Sequence, residues 1–114
     1  MRWKKVTNKV KIIKVEKLTP HCKLNVIKAL VEAGEVRATA SAFGGARALG
    51  IHDLSGMCAV VLELTPSHFY KSMTTHADHR IWQDVYRAKV ANGCDVYLKL
   101  TVLDGVLIVS FKEL

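Results

Sequence analysis

Between residues 19 and 34, apolar side chains recur at Leu24, Ile27, Leu30 and Val31. That spacing puts them on one face of a helix. Thr19-Pro20 supplies an N-cap followed by a proline suited to a first turn, and Gly34 supplies a stop, so a helix is predicted over 20–33. A second helix is predicted over 40–49, capped by Thr39 and stopped by Gly50. It is weaker, because Gly44 and Gly45 each cost about 1 kcal/mol against alanine. GMCAVVLEL at 56–64 is one apolar run, and periodicity leaves buried strand and buried helix both open. Thr65-Pro66 repeats the helix-start pair and predicts a short helix carrying Phe69, Tyr70 and Met73. A polar connection with Thr74, Thr75, His76 and Asp78 follows.

The last twenty residues, DVYLKLTVLDGVLIVSFKEL, hold Asp104-Gly105 between two β-rich runs, the strongest short-range hairpin signal. A type I′ turn there sets Leu103 opposite Val106 and fixes every other pair. One face then carries Leu98 opposite Phe111, Leu100 opposite Val109 and Val102 opposite Leu107, with Val96 beyond. It is wholly apolar and must face the core. The other face carries Tyr97 opposite Lys112, Lys99 opposite Ser110 and Thr101 opposite Ile108. A phenol and an ammonium thus stand across from each other, with Cβ atoms about 5 Å apart. A solvated surface is the commoner fate of such a face, and a binding face is the alternative.

Composition narrows the function. The chain has 114 residues, half of them apolar, which fits one folded domain. Seventeen Lys and Arg against ten Asp and Glu give a net charge of +7 and a pI near 9.5. That favours an anionic partner, whether nucleic acid, an acidic protein or a membrane surface, over a merely solubilising surface charge. Basic residues crowd residues 1–17, where Glu16 is the single acid; an edge strand around Val10–Val15, a basic arm and a frayed, solvated terminus are the alternatives there. Three widely spaced cysteines, Cys22, Cys58 and Cys94, form neither a disulfide framework nor a zinc ribbon and fit a reducing compartment. No signal-peptide core and no run of roughly 20 apolar residues is present, so a cytoplasmic protein away from membranes is expected.

Several uncommon strings occur in a telling order: YKSMTT at 70–75, IWQDVYR at 81–87, VYLK at 96–99 and VLIVSFKE at 106–113, with TPH at 19–21, VxAGxVR at 31–37 and GMC at 56–58. Over about residues 18–114 the chain resembles the MqsR-type mRNA interferases, toxins of bacterial toxin–antitoxin pairs. Residues 1–17 stand outside that resemblance as a basic extension, and the stretch around Phe43-Gly44-Gly45 departs from it. The resemblance implies an α+β, RelE-like fold: a mostly antiparallel sheet, about three helices on one face and a C-terminal hairpin. It implies a sequence-specific endoribonuclease that cuts mRNA at GCU-containing sites without the ribosome. A cognate antitoxin would hold it inactive, and operator DNA would be met only through that complex. It implies a catalytic set of Lys71, Gln83, Tyr97 and Lys112. The hairpin register independently places Tyr97 beside Lys112.

Such a site needs no metal or cofactor, because RNA carries its own nucleophile, the 2′-OH. Lys71 and Lys112 would supply charge and proton transfer, and a lysine among other cations is expected to have a lowered pKa. Arg87 and Lys99 are candidate RNA contacts through phosphate. Trp82 or Tyr86 could stack on an unpaired base, although core placement is commoner for both. His76-x-x-His79 is a weak metal signature and a weak candidate for histidine acid–base catalysis. A non-catalytic basic module that grips nucleic acid or an antitoxin is the alternative, since composition fits it equally well.

Overall fold

The computed structural model describes residues 15–75, 78–90 and 93–113. Strand β1 is Glu16–Lys17, helix α1 Leu24–Glu32, β2 Val36–Ala38, α2 Ala40–Ala48 and α3 Leu54–Leu62. A single 3₁₀ turn at Pro66–His68 leads into β3 Phe69–Thr74, β4 Trp82–Lys89, β5 Asp95–Leu103 and β6 Val106–Glu113. The six strands form one sheet in the order β1-β3-β4-β5-β6-β2. All neighbours are antiparallel except β2 with β6. The fold is α+β, as expected, with three helices covering one sheet face.

The hairpin has the expected register throughout, from Leu103 opposite Val106 to Tyr97 opposite Lys112. Asp104 and Gly105 both have positive φ, 51° and 75°, as a type I′ turn requires. Val96, Leu98, Leu100, Leu107, Val109 and Phe111 are buried and meet Ile27, Val31, Ala46, Met57 and Val61 from the helices. The alternation along β5 and β6 thus divides the sheet into a helix face and an open face.

Helix α1 begins later than the Thr19-Pro20 pair predicts. Its N-cap is Lys23, with no side-chain cap bond. The preceding residues are drawn elsewhere: the backbone N–H groups of His21 and Cys22 donate to the two carboxylate oxygens of Asp84, each at 2.9 Å. Ser72 adds a hydroxyl donor to the same carboxylate at 2.7 Å. Asp84 is fully buried on β4, so three donors from two other segments satisfy it.

The apolar run at 56–64 resolves as helix α3, capped by Asp53, whose carboxylate accepts from Gly56 N–H at 2.8 Å. The short helix expected after Thr65-Pro66 shrinks to one turn. Phe69, Tyr70 and Met73 lie on β3 instead, where pairing with β4 outweighs the local start signal. At the amino end Val15 bonds to Thr74 and Glu16–Lys17 pairs with β3, while residues 10–14 of the expected edge strand lie outside the described residues.

Helix α2 keeps its predicted bounds, with Thr39 accepting from Ala42 N–H at 3.1 Å. Gly45 has a packing reason: a Cβ there would sit 2.6 Å from the Phe111 carbonyl oxygen on β6, whereas one on Gly44 would meet nothing within 4 Å. Gly44→Ala is therefore expected to stabilise the fold by up to about 1 kcal/mol. Gly45→Ala should destabilise it by roughly 1–3 kcal/mol through overpacking against backbone. Asp84→Ala, which strands three donors, should cost on the order of 3 kcal/mol and speed hydrogen exchange at the His21 and Cys22 amides. Urea unfolding of the three variants beside wild type checks all three signs.

Candidate functional site: a basic patch on the open sheet face

Strand pairing arranges the open face in rows. The first row runs Arg87, Tyr97, Lys112 across β4, β5 and β6. The second runs Lys71, Val85, Lys99, Ser110 across β3 to β6. The third runs Glu16, Met73, Gln83 across β1, β3 and β4. Rows are about 7 Å apart along the strands, and neighbouring strands about 4.8 Å apart. Lys112 and Arg87 are exposed, while Tyr97, Lys71, Lys99 and Gln83 are half-buried.

Tyr97 and Lys112 are direct cross-strand partners, with Arg87 on the other flank of Tyr97. Lys71 and Lys99 stand one row along. Gln83 is a further row away, about 14 Å along β4 from the Arg87 position, so it does not touch the Tyr97–Lys112 pair. All six expected residues share the open face, yet they make an extended patch and not a single pocket. A separate open groove of about 860 Å³ lies between α3 and the ends of β4 and β5, and Arg87 reaches its rim.

A residue missed by the sequence reading completes the patch. The register shifts between Phe69 and Lys71, so β3 carries a bulge at Tyr70. Phe69 stays on the helix face, edge-on to Tyr86, while Tyr70 and Lys71 both turn to the open face. The Tyr70 ring lies nearly parallel to that of Tyr97, with centroids 6.1 Å apart. The Arg87 guanidinium carbon lies 3.9 Å from the Tyr70 centroid and 5.7 Å from that of Tyr97, and Lys71 Nζ lies 5.3 Å from Tyr70. Tyr70 is 39% exposed. Only the doublet of aromatics at 69–70 hinted at it, and strict alternation would have split the pair differently.

The two aromatic stackers proposed from sequence are elsewhere. Tyr86 is buried on the helix face, where burial, with smaller effects from Asp84 and Cys22, pushes its phenol up to about 12. Trp82 is on the same side, stacked with His21 at 5.4 Å and covered by Lys17 at 4.3 Å. The reason is parity: both are an even number of residues from Asp84, which faces inward.

The expected lowering of the Lys71 pKa is also overturned. Lys71 Nζ meets Glu16 Oε2 at 2.6 Å, and this hydrogen-bonded carboxylate holds the ammonium above the ordinary lysine range despite partial burial. Thr75 Oγ1 donates to the Asp78 carbonyl at 2.7 Å, and the Arg80 guanidinium grips the half-buried Asp78 carboxylate, holding it down to about 2. His76 lies outside the described residues and His79 is exposed. Among the described residues no group of three or more His, Cys, Asp or Glu could hold a metal. The three cysteines are free, and burial pushes the thiols of Cys22 and Cys58 up, which makes poor nucleophiles of them.

A family described as "Motility quorum-sensing regulator, toxin of MqsA" matches residues 19–113, which include every residue of the patch except Glu16. The chain belongs to the MqsR toxin family. The mRNA interferase toxin MqsR of Escherichia coli (strain K12) is 58% identical over 99 residues, spanning 87% of this chain and 99% of that relative. The MqsR match therefore takes in the sheet and all three helices. No helix among the described residues is long and apolar enough to cross a membrane.

The Tyr86 environment carries a pH signature. The folded state holds this proton more tightly than an unfolded tyrosine does. Its contribution to stability is full below about pH 10 and lost as pH rises toward 12. Urea unfolding across that window should show wild type losing on the order of 2 kcal/mol more than Tyr86→Phe.

Proposed function

We propose that this chain is the toxin of a toxin–antitoxin pair and that its open sheet face binds and cuts mRNA. One observation carries the reading. Tyr97 and Lys112 face each other across β5 and β6 at the centre of a basic patch that no helix covers among the described residues. The family description names MqsA as partner, and the curated relative is called an mRNA interferase. In this reading residues 18–114 are the endoribonuclease domain, and residues 1–17 are a basic extension whose last residues serve as an edge strand.

The reaction is a transesterification. The ribose 2′-oxygen attacks the adjacent phosphorus, its proton passes to an acceptor on the protein, and the 5′-oxygen leaves with a proton from a donor. The products are a 2′,3′-cyclic phosphate and a 5′-hydroxyl. Tyr97 and Lys112 lie where those transfers occur, and Lys71 places positive charge beside the phosphorane. Arg87 and Lys99 bind flanking phosphates. Tyr70, held against Arg87, offers a ring on which a base stacks. Gln83, two rows off, reads a neighbouring nucleotide through a base edge or a phosphate oxygen.

Cutting is metal-independent, ribosome-independent and favours GCU-containing sites in this reading. It takes place in the cytoplasm under control of the antitoxin, and operator DNA is contacted only through the antitoxin complex.

The test is a defined, ribosome-free RNA with GCU and control triplets, incubated in EDTA, with both new ends mapped. Wild type should cut near GCU and leave the cyclic phosphate. Tyr97→Phe and Lys112→Ala should each cut at least about a hundredfold more slowly while keeping the fold. A folded wild-type protein that binds this RNA without cutting it would favour the non-catalytic binding module.

A further inference from the structure

Glu16 lies ahead of the family-model match, which begins at residue 19, and its carboxylate reaches into the patch. It sits opposite Met73, and Oε2 meets Lys71 Nζ at 2.6 Å. The strand that carries it is fastened on both sides. Val15 N–H donates to Thr74 Oγ1 at 2.9 Å, and Thr74 N–H returns a bond to the Val15 carbonyl at 2.9 Å. On the helix face Lys17 lies over Trp82 and contacts His21 Nδ1 at 3.2 Å. The carboxylate is thus presented by an anchored strand and not by a free arm. Asp95, on the same face, pairs instead with Lys89 at the far end of β4.

The charges around Lys71 make the pairing consequential. Glu16 faces it from β1, Tyr70 from its own strand and Tyr97 from β5. Lys99 shares its row, Arg87 lies over Tyr70, and Lys112 stands across from Tyr97. With cations alone as neighbours, this amine would release its proton more readily. Glu16 has the largest effect in holding the proton on, against the cost of partial burial, with smaller help from Tyr70 and Tyr97.

We propose that Glu16 is a positioning residue that holds Lys71 as a fixed ammonium, so that Lys71 serves cleavage as a cation at the phosphate and is not the proton acceptor. This rests on the endoribonuclease reading above and deepens it. Lys71 keeps its proton throughout the reaction. The 2′-OH proton passes to another group, and the role Lys71 fills is one that a permanently charged side chain can also fill.

Three measurements on the full chain test it. The first follows the Lys71 Nζ titration by the carbon-13 shift of its ε-carbon in wild type and Glu16→Gln. Loss of the carboxylate should move that titration to lower pH. The second compares pH–rate profiles. The alkaline fall in kcat should come at lower pH in Glu16→Gln, with KM little changed. The third uses Lys71→Arg, which should retain cleavage where Lys71→Ala loses it, and in which Glu16→Gln should no longer shift the profile. A Lys71 titration and a pH–rate profile that are unchanged in Glu16→Gln would overturn the proposal. So would a folded, RNA-binding Lys71→Arg as inactive as Lys71→Ala. If wild type does not cut RNA, the endoribonuclease reading falls and the catalytic role of Glu16 with it, while the titration still reports whether Glu16 clamps the ammonium.

Discussion

The buried carboxylate of Asp84 is the constraint around which the rest is arranged. A charge-bearing group inside an apolar layer is tolerable only when its oxygens are saturated with donors. Here the donors come from the loop before α1 and from β3, while the carboxylate belongs to β4. One side chain therefore ties the start of the helical layer to two adjacent strands. It also fixes which residues of β4 face inward. Once Asp84 points to the helices, Tyr86 and Trp82 must follow it, and Gln83, Val85 and Arg87 must face out. The chemistry of the open face is in this sense a by-product of how the core satisfies a polar group.

The bulge at Tyr70 is the second device. Regular alternation allows only one of two consecutive residues on a given face. By breaking the register after Phe69, β3 keeps a core aromatic and still places both Tyr70 and Lys71 outward. The result is density. A phenol, a guanidinium and an ammonium meet around Tyr97 without any loop having to fold over the sheet. Rigid strands hold them, which suits a site whose geometry must be ready before the substrate arrives.

How much was legible beforehand follows from how local each signal is. The hairpin was readable to the last pair, because Asp104-Gly105 dictates its turn and the turn dictates register. Helix α2 was readable from Thr39 and Gly50 for the same reason. The start of α1 was not, since Thr19-Pro20 loses to an acceptor more than sixty residues away, at Asp84. Nor was β3, where a one-turn start signal hid a strand whose partner lies beyond a loop. The Tyr97–Lys112 pairing was visible in the sequence. Tyr70 was hidden by a bulge that leaves no compositional mark, and the charge state of Lys71 was hidden because Glu16 lies 55 positions upstream. Local chemistry announces itself in a window of residues, and pairing across the sheet does not.

The strand order sets the sequence of folding events. Both outer strands, β1 and β2, come from early in the chain, and the four between them come later. Among the described residues strand β2 pairs with β6 alone, some seventy residues downstream, and β1 must wait for β3. The helices likewise have no apolar floor until the hairpin supplies one. As the polypeptide is made, its first third can form turns of helix but cannot close a core. Such dependence on distant pairing slows folding. It also means that the basic patch on the open face comes into being all at once, late, when β6 closes the gap between β5 and β2.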